Sequence, residues 1–353
     1  MANYKTRLTG DLDRWIAEGL VPPVSREPIL AGVTEPKRLE ASAALAAVGG
    51  LLLGAAVIAF VAANWSGIPR LARFGLVLSL FLTVSGGAAW AGERRPLARN
   101  VLLLVAALVY AAAIGLTGQI FDIAGDPRTA LHAAGLAAIL LALAGRSSGA
   151  AIAALGLLAI GDLKLDFMGA EQPPPWLALA APVGVGLAWA WRSRPLAHAA
   201  SLAVVVAGLL LLTWRDLNAP LNLDAFGIGF ALALLAAGAR YLDSRDDPMA
   251  GVAYGWWVWG ALIFCAAGGF GPHPPAVLVH RPLWLAVAGG VIALGLHDRR
   301  SVVTAAGVVF MAGAIAAILA DLGLGLMTAA AVFAVVALVA LAGGFALRRR
   351  VGR

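Results

Sequence analysis

From position 42 onward, apolar runs of 14 to 22 residues alternate with short polar segments that hold most of the Arg, Asp and Pro residues. A helix crossing the hydrocarbon core needs about 20 apolar residues, somewhat fewer where neighbours shield it. The pattern predicts twelve spans, at 42–63, 71–91, 100–117, 128–145, 148–161, 175–191, 198–214, 223–241, 249–270, 282–296, 301–320 and 326–347. The predicted fold is an all-α polytopic transmembrane bundle over 41–347, with a cytoplasmic helical segment at 1–40 and a basic cytoplasmic tail at 348–353. The pair at 128–161 also reads as one re-entrant hairpin, and both readings leave every other loop on the same side.

The first 40 residues follow a different period. Leu8, Leu12, Trp15 and Ile16 fall on one stripe of a helix over 4–19, with Asp11 and Asp13 placed near its start and Gly19 at its end. A second short helix is expected behind Ser25, through Ile29, Leu30 and Val33. About 35 residues cannot bury a core of their own. The stripe is therefore expected to rest on the membrane or the bundle, or else to recruit a protein partner.

Composition agrees with a membrane solvent. Hydrophobic residues make up 61% of the 353 positions and charged residues 13%, far from the balance of a soluble domain. The formal charge of +7 does not point to nucleic acid, because the basic residues sit between apolar runs rather than on one face. Threaded with the N-terminus inside, the spans place 20 of 26 Lys and Arg on the cytoplasmic side, as the positive-inside rule requires. The segment before the first span carries charges of both signs and no early apolar core, so it does not read as a cleavable signal peptide. The outer segments hold 6 basic and 8 acidic residues, leaving a mildly acidic outer face. Cys265 stands alone inside an apolar run, as a packed thiol would.

Trp65, Trp176, Trp214 and Trp284 fall at the predicted outer ends, and Trp90, Trp189 and Trp191 at the inner ends. Their expected role is anchoring at headgroup level. The pairs Gly49-Gly50, Gly86-Gly87, Gly289-Gly290 and Gly343-Gly344 are expected to let helix backbones approach closely.

Two outer loops carry the most distinctive residues. Ala63-Asn64-Trp65-Ser66-Gly67-Ile68-Pro69-Arg70 and Gly118-Gln119-Ile120-Phe121-Asp122-Ile123-Ala124-Gly125-Asp126-Pro127, with Trp15, Gly19 and Leu20 ahead of them, resemble a family of bacterial polytopic membrane proteins known as a domain of unknown function. The resemblance extends over about 8–145 and implies a bacterial inner-membrane protein. It brings no activity, substrate or catalytic residue.

The same loops supply the candidate ligand-binding residues Asn64, Trp65, Gln119, Asp122 and Asp126. Ionisable groups at membrane depth are expensive and often functional. Gly118 is expected to interrupt its helix, leaving Gln119 to satisfy freed backbone groups and Asp122 to take a cation or proton. Asp126 before Pro127 reads equally as a helix N-cap, and Asn64-Trp65 equally as an interfacial end of the first span. Asp162, Asp166, Asp216, Asp224 and Asp321 read mainly as solvated loop acids. His132 reads as a packing histidine or a partner of Asp122 or Asp126. His273 and His280 are assigned to a Pro-rich outer loop with no strong metal spacing.

No phosphate-binding loop, zinc-protease helix or nucleophile elbow is present in the sequence. The halves do not align as transporter repeats. The expected function is therefore binding or sensing at the outer face, without cofactor or metal and with the lipid bilayer as the main partner. A cation- or proton-coupled transporter using Asp122 is the alternative, and an enzyme using Asp or His there comes third.

Overall fold

Helices account for all the regular secondary structure that the computed structural model describes, which comprises residues 4–32, 67–121, 125–163, 175–213, 223–269, 274–322 and 334. The chain divides into two units, Met1–Pro69 and Arg70–Arg353. The predicted span at 42–63 lies outside the described residues, as does that at 326–347 apart from residue 334.

In the first unit, α1 (Tyr4–Ala17) and α2 (Arg26–Gly32) flank a 3-10 turn at Pro23–Ser25. The expected stripe forms, and Leu12 is buried. Gly19 takes a left-handed φ of 71°, which lets the Leu20 amide return to the Trp15 carbonyl at 2.9 Å and closes the helix end. The acids do not flank the start of α1 as expected. Asp11 lies mid-helix against Arg14 at 2.7 Å, and Asp13 ties α1 to α2 through Arg26 at 2.7 Å.

The second unit contains ten described helices: α3 (Arg70–Ala91), α4 (Pro96–Ile120), α5 (Pro127–Gly145), α6 (Ser148–Asp162), α7 (Leu177–Ala190), α8 (Arg194–Thr213), α9 (Leu223–Asp243), α10 (Ala250–Ala267), α11 (Pro274–His297) and α12 (Ser301–Asp321). They match ten predicted spans, most within a few residues. Eight are long and apolar enough to cross a membrane. The protein is an all-helical membrane protein. The exceptions, α6 and α7, span only about 20 Å each at 1.5 Å per residue. Nine of the fifteen residues of α6 are buried, so neighbouring helices shield it along most of its length.

These helices pair as five hairpins, α3–α4, α5–α6, α7–α8, α9–α10 and α11–α12, and the hairpins join through their second members. Helix α4 packs on α6, α6 on α8, α8 on α10 and α10 on α12, while no two first members pack along each other. The core accordingly sits on this even-numbered row, in residues such as Leu155, Leu158, Leu196, Tyr254 and Phe264. Close backbone approach occurs mainly at single glycines. A Cβ on Gly307 would lie 2.9 Å from the Ala288 carbonyl oxygen, whereas one on Gly86 or Gly290 would meet open space. The expectation for paired glycines thus fails at these two positions.

All five hairpin turns lie at one end and are two to six residues long, whereas the connections at the other end run from six to fourteen. Each short turn holds one residue with left-handed φ: Gly92, Arg146, Arg192, Asp246 and Arg299. In four of them the next amide bonds back five residues, Ser147 to Ala142, Ser193 to Ala188, Asp247 to Leu242 and Arg300 to Gly295. That bond satisfies a carbonyl the helix would otherwise leave open. Glycine normally occupies the left-handed position; here Arg does so three times.

Sequence boundaries fail instructively at the start of α11. Pro282, expected as its first residue, stands inside the helix, which begins at Pro274. His280 is therefore a helix residue and not a loop residue, and it is buried at 1% exposure. Trp284 is likewise no interfacial anchor: it is 4% exposed and packs with Ala266 and Ala314. Trp90, by contrast, is 78% exposed.

Candidate functional site

A cavity of about 1150 Å³ opens among α3, α4 and the start of α5, toward the end with the long connections. Helix α3 contributes Phe74, Val77, Leu78 and Phe81; α4 contributes Tyr110, Ile114 and Thr117. Both sets follow the three-and-four spacing of one helix face. Aromatic pairs link α3 and α4 at two depths, Phe81 with Tyr110 at 5.6 Å and Phe74 with Phe121 at 6.0 Å between ring centres. A Cβ on Gly115, between them along α4, would meet no atom within 4 Å. The space is open there because no side chain fills it.

Two sequence-predicted residues line this cavity, Gln119 and Asp126. Gln119 is exposed, and its side chain makes no hydrogen bond among the described residues. The helix does not break at Gly118 as expected; α4 continues through it to Ile120, and the Phe121 amide still bonds the Thr117 carbonyl at 3.1 Å. Thr117 turns its hydroxyl back to Ala113 at 2.7 Å. The backbone is satisfied without help from Gln119, whose amide remains available to a ligand.

Asp126 is the N-cap of α5. Its Oδ1 accepts from the Arg128 amide at 3.0 Å and its Oδ2 from the Thr129 hydroxyl at 3.2 Å, with Pro127 in the first helical position. The Arg128 amide, helped by Thr129, holds the Asp126 carboxyl below the ordinary carboxylate range. Asn64, Trp65 and Asp122 lie outside the described residues, as do Asp166, Asp216 and His273.

Polar residues on the neighbouring hairpins serve the helix ends. Asp162, expected as a solvated acid, has a side chain only 3% exposed. Its Oδ1 accepts from His132 Nε2 at 2.9 Å and from the Trp176 amide at 3.1 Å, and its Oδ2 from the Leu177 amide at 2.7 Å. His132 thus bonds Asp162 in the same hairpin, and the carboxylate caps α7. Deeper in the chain, His280 Nε2 donates to the Cys265 carbonyl at 2.7 Å while Nδ1 accepts from Arg281 at 3.1 Å. A carbonyl only accepts and a guanidinium only donates, so His280 is a neutral imidazole with its proton on Nε2. Arg281 Nε then reaches Asp321 at 2.8 Å. Neither histidine is arranged for metal, and the described residues contain no group of three or more His, Cys, Asp or Glu able to hold one.

Sequence reasoning missed the aromatic wall of Phe74, Phe81 and Tyr110. The signal was present as helical spacing on two consecutive spans, but in an apolar helix that spacing has no polar background to stand out against.

None of the curated proteins and none of the solved structures compared with this chain matches it. Residues 13–151, which run from α1 through the first residues of α6, match the family described as Predicted membrane protein (DUF2157), a domain of unknown function.

Proposed function

We propose that this protein binds an amphiphile in the cavity among α3, α4 and α5, and acts as a binding or sensing protein of the bacterial inner membrane. The observation that supports this is the pairing of an apolar cavity with unmatched polar groups. Gln119 at the mouth and the Tyr110 hydroxyl deeper in the wall have no hydrogen-bond partner among the described residues. Unpaired polar groups at membrane depth cost several kcal/mol, so a guest bearing hydrogen-bonding atoms there gains from both. The volume, about 1150 Å³, slightly exceeds the usual range of small-molecule sites, about 300–1,000 Å³, and the lining is mostly apolar. In this reading Gln119 receives the polar head and Phe74, Val77 and Phe81 receive the apolar body. Asp126 shapes the mouth through its cap.

The test is photolabelling of the full chain in nanodiscs with a diazirine-bearing fatty acid. Labelled peptides from α3 and α4 are expected in the native chain, with labelling reduced at least tenfold in Gly115→Phe, which fills the open space. Equal labelling of the two chains would end this reading.

A further inference from the structure

A second cavity, of about 960 Å³, lies at the opposite end of the second unit, over α10 and between the starts of α8 and α12. Helices α8 and α12 each pack on α10 but not along each other, so α10 forms the floor of a groove with a wall on either side. Val252, Trp256 and Trp259 line it successively deeper from the turn, over about 10 Å at the helical rise. The indole N–H groups are occupied: Trp256 donates to His198 Nδ1 at 3.1 Å, and Trp259 to the Val302 carbonyl at 3.3 Å. Both rings are thereby held in the walls of the groove.

The charges at the mouth separate into those already engaged and those left over. Arg300 is committed to Asp243. Asp247 caps α10 through the Met249 and Ala250 amides at 2.8 and 3.2 Å and accepts the Trp189 indole N–H at 3.2 Å. Arg194, Arg299 and Asp246 are exposed, line the cavity and form no ion pair among the described residues. Among the described residues, two unpaired cations and one unpaired carboxylate therefore face a groove whose inner part is aromatic and apolar. The N-termini of α8, α10 and α12 also lie at this end, adding partial positive charge at the mouth.

We infer that this groove holds one phospholipid of the adjoining leaflet, with its phosphate on Arg194 and Arg299, its headgroup amine beside Asp246, and an acyl chain along Trp256 and Trp259. Guanidinium groups match phosphate oxygens in charge and geometry. Asp246 favours an amine headgroup over one that is anionic overall. A soluble anion would use the arginines but would leave the aromatic groove empty.

The test is native mass spectrometry of the purified full chain titrated separately with phosphatidylethanolamine, phosphatidylglycerol and inorganic phosphate. One tightly retained phosphatidylethanolamine per chain is expected, at least fivefold tighter than phosphatidylglycerol, with no retention of phosphate. Arg194→Gln/Arg299→Gln is expected to weaken retention at least tenfold while leaving the lipid-free melting temperature unchanged. Arg192→Gln, which removes an exposed charge from the same end but outside the cavity, is expected to leave retention intact. Equal weakening by Arg192→Gln would reduce the effect to general surface charge, and undiminished binding by the double variant would remove the site; either result overturns the inference. Tighter retention of phosphatidylglycerol would overturn the place given to Asp246. The α3–α5 cavity plays no part in any of these readouts.

Discussion

Arg240 and Asp298, 58 positions apart, meet as a two-pronged fork, with Nε to Oδ2 at 2.6 Å and Nη2 to Oδ1 at 2.7 Å. Tyr254 adds its hydroxyl to Oδ2 at 2.9 Å. The carboxylate beyond α11 thus gathers donors from α9 and α10 and joins the fourth hairpin to the fifth. Arg240, followed by Tyr254, holds the Asp298 carboxyl below its ordinary value of 3.8. A folded-state value lower than the unfolded one adds stability above the unfolded value and loses it as pH falls through the folded value. Asp298→Asn is therefore expected to cost about 1–2 kcal/mol near neutral pH, a charged hydrogen bond discounted because Arg240 is partly solvated. The gap in melting temperature between the two chains is expected to close as pH drops below the ordinary carboxylate range. A gap that persists unchanged at pH 2 would contradict this.

The left-handed arginines predict a conflict between local strain and orientation. An L-residue in that conformation costs about 1 kcal/mol relative to glycine. Changing Arg146, Arg192 and Arg299 together to Gly is expected to raise the unfolding midpoint in detergent. It should also increase the inverted fraction in a topology-reporter assay, because three loop charges are lost. A lower midpoint would mean that these side chains contribute more than the strain they impose.

Asp162 makes a separate prediction. Asp162→Ala leaves the Trp176 and Leu177 amides and His132 without their acceptor, at a cost of about 1–2 kcal/mol for the lost cap. Hydrogen exchange at Leu177 is expected to accelerate at least tenfold while exchange in α12 stays constant. Uniform acceleration across both helices would indicate global destabilisation instead.

Glycine substitutions distinguish packing from propensity. Gly307→Ala sets a Cβ within 3 Å of Ile292 and of the Ala288 carbonyl, and is expected to cost about 1–3 kcal/mol from overpacking. Gly86→Ala meets open space and is expected to be neutral or stabilising by up to about 1 kcal/mol. Thermal unfolding of the pair measures the difference, and equal midpoints would refute the close α11–α12 contact.

Orientation is tested with cysteines. In a Cys265→Ala background, Gly125→Cys and Ser244→Cys lie at opposite ends of the helices, and both positions are exposed. A membrane-impermeant maleimide applied to intact spheroplasts is expected to label the first and not the second. The reverse pattern would invert the proposed topology.

Much of the architecture was legible in the chain itself. Runs such as 71–91 and 301–320 determined where helices form, because a backbone in lipid must satisfy its own hydrogen bonds and only a continuous helix does so within one segment. Asp126-Pro127 determined the start of α5 for a local reason, since a cap and its amide are two residues apart. What only the tertiary structure decided concerns partners distant in sequence. Hydropathy does not indicate that α4, α6, α8, α10 and α12 form one row. It equally gives no sign that Asp162 serves Leu177 rather than water, or that His280 lies buried in a helix instead of exposed in a loop. Gln119 was readable as a polar residue near a membrane face, but the cavity it borders exists only where three separately encoded helix faces meet. Hydrophobicity sets which segments enter the bilayer; side-chain shape and the pairing of polar groups across segments set how they assemble there.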